Sequence, residues 1–246
     1  MYKYIIIIFI FFGVEAMAQI DTVPRNISTI GLHVSLDFPM ADLATRFGVY
    51  DKVGLTYYRK KKSNWIIGAR VHFMFGNKIK EPGFLDNLKT VASGTITSDG
   101  SLAEIRLYQR GYNVGIDVGK ILPFWNANAN SGPFCMGSLG FMQHKINIYD
   151  RDNLYPQLIG DYRKGYDRLT NGLYGDVLLG YMYYGTKKNL NGFIALDMNV
   201  AKTQGRREWW YDVQKTGRDN RIDASIGLMM GWFIPVYQKK TEEVYY

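Results

Sequence analysis

Three histidines, His33, His72 and His144, are the natural acid–base candidates of this chain near neutral pH. To run a hydrolysis or hold a metal, they would have to converge with an aspartate or a serine near one end of the fold. No HExxH, paired CxxC, GxSxG or glycine-rich phosphate loop accompanies them. The sharpest chemistry they could support is lipid modification by a histidine and a serine at an outer rim, with His72 or His144 essential. The plainer reading, histidines satisfied within a polar interior, is favoured. The single cysteine, Cys135, cannot form an internal disulfide and reads as a small buried or outward apolar residue. No catalytic residue, metal or cofactor is expected.

Two other sets of residues stand out. Arg70, Asp117, Asp176, Asp197 and Asp223 fall on the polar faces of alternating segments. An unpaired charge in a confined interior is strongly destabilising, so these five are expected to form an interior network. The second set lies in two long connections. Residues 160–172 mix charges with Tyr162, Arg163, Tyr166 and Arg168; residues 206–211 read Arg206-Arg207-Glu208-Trp209-Trp210-Tyr211. Exposed Trp, Tyr and Arg together are what protein interfaces concentrate. Tyr162, Arg163, Tyr166, Arg168, Arg206, Arg207, Trp209, Trp210 and Tyr211 are therefore expected to bind partners. Replacing Trp209, Trp210 and Arg168 together by Ala should release partners and leave the fold intact. Lipopolysaccharide contact by the basic residues is a lesser option.

The elements that would carry these residues are strands. Segments 28–38, 49–58, 65–75, 105–118, 134–149, 173–184, 192–201 and 222–233 alternate apolar and polar residues. In the first, Ile30, Leu32, Val34, Leu36 and Phe38 oppose Gly31, His33, Ser35 and Asp37. In the fourth the parity reverses near Arg110-Gly111, which suggests a bulge. The polar faces carry Gly, Ser, Asp and Arg, small groups that suit a narrow filled interior rather than the exterior of a soluble barrel. The connections, 39–48, 59–64, 76–104, 119–133, 150–172, 185–191 and 202–221, alternate long and short. A short helix is expected over 84–91. Tyr57, Trp65, Trp125, Tyr183 and Trp232 cluster at the short-turn end, and Trp232-Phe233, followed by Tyr237, closes the last strand. This pattern predicts an all-β, eight-stranded antiparallel transmembrane outer-membrane barrel with long extracellular loops.

Composition agrees. The 246 residues suit one all-β domain, with 26 Gly and 19 Tyr but only 7 Pro. Mean hydropathy of −0.18 argues against a helical membrane protein but not a barrel, in which alternate residues face lipid. The net charge of +8 sits largely in Arg59-Lys60-Lys61-Lys62, Lys187-Lys188 and Lys239-Lys240, which suit anionic lipid head groups rather than nucleic acid. Lys3, the apolar run 5–14 and Ala16-Met17-Ala18 read as a secretory signal over 1–18, with Gln19 following cleavage. The barrel is expected over 19–238 and a periplasmic tail over 239–246.

The blocks Ser63-Asn64-Trp65-Ile66-Ile67-Gly68 through Phe75-Gly76-Asn77-Lys78-Ile79-Lys80-Glu81, residues 161–172, and Gly231-Trp232-Phe233-Ile234-Pro235 resemble a family of small outer-membrane barrels widespread in Bacteroidota. The chain is similar in particular to the BamF-type barrel that accompanies BamA in the Bacteroidota barrel assembly machinery. That resemblance implies a non-enzymatic subunit, with a BamA-like barrel and surface-exposed lipoproteins as partners and outer-membrane protein biogenesis as the process served. Accessory barrels of the type IX secretion system are the second resemblance.

Overall fold

A computed structural model describes residues 23–88, 105–123, 128–150, 155–185 and 191–237. The segment read as a signal, Trp125, the Lys187-Lys188 and Lys239-Lys240 pairs and the C-terminal tail lie outside these residues.

The alternating segments form strands because residues i and i+2 share a face, so each can bury one side while the other faces away. They are β1 (Ile27–Met40), β2 (Tyr50–Lys60), β3 (Trp65–Gly76), β4 (Ile105–Ile121), β5 (Gly132–Asp150), β6 (Thr170–Tyr184) and β7 (Asn191–Gly205). A two-stranded ribbon, β8 (Trp209–Trp210) and β9 (Lys215–Thr216), follows, and then β10 (Asn220–Tyr237). Eight of the strands close into one antiparallel barrel in the order β1-β10-β7-β6-β5-β4-β3-β2. Closure leaves the barrel sheet itself without an unpaired edge strand. The connections β1–β2, β3–β4, β5–β6 and β7–β10 leave one end of the barrel; the other three, the start of β1 and the end of β10 lie at the other.

The faces follow the alternation. Ile30, Leu32, Val34, Leu36 and Phe38 point outward and are about half exposed, while His33, Ser35 and Asp37 are buried. The outward rows of the other strands are equally apolar, with Leu139 at 77 % and Leu173 at 75 % exposure. Cys135 is on this outward face. Tyr57, Trp65, Tyr181 and Trp232 ring the short-turn end.

The expected bulge in β4 is absent. Its register is unbroken against β3, from Trp65↔Lys120 to Gly76↔Gln109, and against β5, from Ile105↔Asp150 to Ile121↔Phe134. The apolar parity reverses for another reason: β4 and β5 run on beyond the outward apolar belt. There the inward side meets folded loops, so Ile105, Leu107, Ile146 and Ile148 turn inward. The outward side carries Arg106, Tyr108, Arg110, Gln143 and Lys145. The expected helix over 84–91 is, in its described part, a single 3-10 turn at Asp86–Leu88. A helix that periodicity did not show, α1 (Ala41–Arg46), fills the mouth of the barrel with Leu43 fully buried.

Candidate functional site

The interior is layered. At the short-turn end, Tyr58, Ile66, Phe134, Met182, Tyr184 and Phe233 form an apolar plug. The turns there are tied together: Ile121 N donates to Asn64 O at 2.9 Å, Asn64 Nδ2 to Ala129 O at 3.1 Å, and Asn128 Nδ2 to Tyr184 O at 3.0 Å.

The charged layer sits above the plug. Arg70 Nε and Nη2 grip Asp117 at 2.8 and 2.9 Å, and Nη2 also reaches Asp176 Oδ1 at 2.8 Å. Ser138 bridges Arg70 and Asp117. Asp197 belongs elsewhere: Lys52 Nζ lies 2.7 Å from it and 2.8 Å from Asp37. Asp223 lies higher, 2.9 Å from His144 Nε2 and 2.5 Å from Thr203 Oγ1. The five residues read together from sequence therefore fall into three groups. Two of these contain partners that the alternation placed inside without assigning a role, Lys52 with Asp37, and His144. A purely inward position cannot tell which of several carboxylates a cation meets, because that depends on height along the barrel.

The histidines are sealed. His33 Nε2 and His72 Nδ1 lie 2.8 Å apart deep in the barrel. His144 is fully buried beneath the edge of Phe47, ring centroids 5.4 Å apart. Among the described residues no hydroxyl occupies its Nδ1, so its Asp223 contact lacks the nucleophile that a triad requires. No His/Cys/Asp/Glu group able to hold a metal occurs among the described residues.

The described parts of the long connections fold over the barrel mouth as a cap, and its centre is a ring flanked by two guanidiniums. Trp210 is 6 % exposed, with Arg168 4.4 Å and Arg46 5.8 Å from its centroid. Arg168 donates to Asp212 at 2.6 Å and Glu81 at 3.2 Å; Arg46 donates to Glu81 at 2.7 Å. Arg168 adopts φ 52°, a left-handed backbone that a bulky residue keeps only where its surroundings over-determine it. Burial alone would raise the Glu81 carboxyl, but Arg46 and Arg168 hold it below its ordinary value. Tyr166 is buried and meets the Tyr211 ring edge-on at 5.7 Å. Arg207 forms a fork with Asp167 at 2.9 and 2.5 Å. Arg163 Nε reaches Leu158 O at 2.7 Å.

Of the nine loop residues singled out from sequence, Tyr162, Arg206, Trp209 and Tyr211 are exposed. Arg168, Tyr166 and Trp210 build the cap itself. Replacing Arg168 and Trp210 would dismantle the surface being tested, so only the exposed members are suitable probes of binding. Arg46, Glu81 and Asp212, which complete the cap core, carried no local signal, since the ion pairs they make with each other and with Arg168 span 35 to 87 residues of chain.

No protein-family model and no curated protein sequence matches the chain. Solved structures similar in outline include the following two. Ail, the attachment invasion locus protein of Yersinia pestis, crystallised with the heparin analogue sucrose octasulfate, is 10 % identical with a TM-score of 0.46; the match covers 85 % of this chain and 99 % of Ail. Neisserial surface protein A is 9 % identical with a TM-score of 0.46, covering 83 % of this chain and 96 % of its own. The closed eight-stranded antiparallel barrel stands on the strand pairing of this chain, and neither ligand nor role is carried across at such identity.

Proposed function

We propose that the chain is an integral barrel of the bacterial outer membrane, exported by residues 1–18, and that it serves without catalysis as a subunit of a multi-protein envelope complex. The single observation that carries this reading is the outward apolar belt on a closed, filled barrel. Ten residue steps separate Lys120 from Arg110 on β4 and Cys135 from Lys145 on β5. At about 3.3 Å per residue, that is roughly 33 Å of strand. Tilted by ~40°, it spans about 25 Å, the height of a membrane barrel's apolar band. Exposing so many Leu, Ile, Val and Phe side chains to water would be untenable in a soluble monomer. The sealed histidines and filled interior support a role other than catalysis or solute passage.

The complex proposed is the Bacteroidota barrel assembly machinery, with a BamA-like barrel beside this one and surface-exposed lipoproteins above its cap. The residue blocks 63–81, 161–172 and 231–235 support that choice, as do Tyr162, Trp209 and Tyr211 on the cap surface, exposed by 66, 48 and 43 %. The test is a mild-detergent pull-down of the tagged chain from outer membranes, with mass spectrometry of what accompanies it. BamA and lipoproteins at near-equal amounts are the expected result. Secretion-system components in their place would transfer the chain to the type IX apparatus, and a solitary barrel would overturn the subunit role.

A further inference from the structure

The outer surface carries a cation pair that the fold itself does not explain. Arg110 on β4 and Lys145 on β5 are direct cross-strand partners. Both point outward, since Gln109, His144 and Ile146 beside them are buried inside. Like charges set opposite each other on one sheet face repel and weaken the pairing. Among the described residues neither cation meets a carboxylate. The Arg110 guanidinium instead lies over the rings of Tyr108 at 4.8 Å and Phe75 at 5.4 Å, and donates to Gln109 O at 2.8 Å. With Phe73, Tyr112 and Gln143, the two cations line one shallow groove.

The groove's position gives it meaning. One outward pair below the cations is Tyr112 with Gln143; beneath that come Val114 with Phe141, then Ile116 with Leu139. From loop end to short-turn end, the surface reads two cations, an amphipathic pair, then a bare apolar strip. An anionic lipid presents the same order: phosphate, polar backbone, acyl chain. We propose that Arg110 and Lys145 bind the headgroup phosphate of an outer-leaflet lipid whose chain lies along Phe141 and Leu139. A phosphate between the two cations converts their repulsion into two charge-assisted contacts. This site rests on the membrane residence proposed above and is independent of any protein partner.

The test uses the full chain in phosphatidylcholine nanodiscs containing a small fraction of phosphorylated lipid A, with native mass spectrometry counting the lipid A retained on release. The Arg110→Ser, Lys145→Ser double variant should retain roughly tenfold less than the parent. Lys202→Ser, an outward cation away from the groove, should retain as much as the parent, and lipid A stripped of phosphate should be lost equally by all. Equal retention by a double variant whose heat-modifiable gel mobility shows a closed barrel would overturn the site. So would complete displacement by inorganic phosphate at matched concentration, which would mark a free-anion site instead. Fractionation of the same cells separates the two readings. A chain missing from the outer membrane defeats the membrane assignment, whereas equal retention by a chain present there defeats only the lipid site.

Discussion

At the scale of single residues, the interior depends on each buried charge having its partner. Arg70 is ion-paired with both Asp117 and Asp176, which are otherwise enclosed. Arg70→Met should destabilise the barrel by about 3–5 kcal/mol, because two carboxylates lose the cation they share. Urea unfolding in lipid vesicles, followed by gel mobility, measures this. Glu81 allows a prediction in pH. Its carboxyl is held below its ordinary value by Arg46 and Arg168, so the folded cap binds the proton less readily than the unfolded loop. That contribution is complete above the ordinary glutamate value and fades as pH falls through the lowered one. Protease cleavage of the loops should therefore rise in acid below that ordinary value. Glu81→Gln should cleave more readily at neutral pH and lose this part of the pH dependence. An unchanged profile in Glu81→Gln would remove Glu81 from the cap's acid response.

Among the elements, the cap and the barrel should fail separately. Trp210→Ala removes the ring between Arg46 and Arg168, a change that costs about 3–5 kcal/mol at a buried aromatic. The loops should become protease-sensitive while the barrel keeps its folded mobility; loss of both together would show the cap to be part of the barrel's own folding unit. Gly165→Ala should loosen the same cap more gently, since a Cβ there would run into the Tyr211 ring, which would have to turn aside. The barrel was legible in the sequence because period-two alternation is a local signal: the outward rows of β1, β2, β3, β6, β7 and β10 follow it directly. Its reversal in β4 was legible as a fact but not as a cause. A bulge and a strand leaving the apolar belt write the same pattern, and only the unbroken pairing separates them. The cap was the least legible part. Exposed and buried arginines look alike in sequence, and Arg168 is buried only because Glu81, Asp212 and Trp210 arrive from distant connections.

For the molecule as a whole, the plug, the charged layer and the cap stack buried side chains along the barrel among the described residues. Reconstitution into planar bilayers should therefore give no stepwise conductance; regular single-channel steps would contradict the filled interior. Changing Tyr162 and Trp209 together to Ala, which leaves the Tyr211 ring packed on Tyr166, should release surface partners in the pull-down while preserving barrel mobility. Partners held at undiminished yield would show that the cap surface is not where they bind. One feature of the strand order reaches back to the life of the chain before it folds. The seam of the barrel joins Ile27 to Tyr237, the beginning of the first strand to the end of the last. A ring closed in this way has no completed intermediate. Until the final strand has been synthesised and delivered, the first has one side without a neighbour, and a long loop must be closed before any contact there repays its entropy. Until then the chain is an open, sticky ribbon, and β10 decides when the ring shuts.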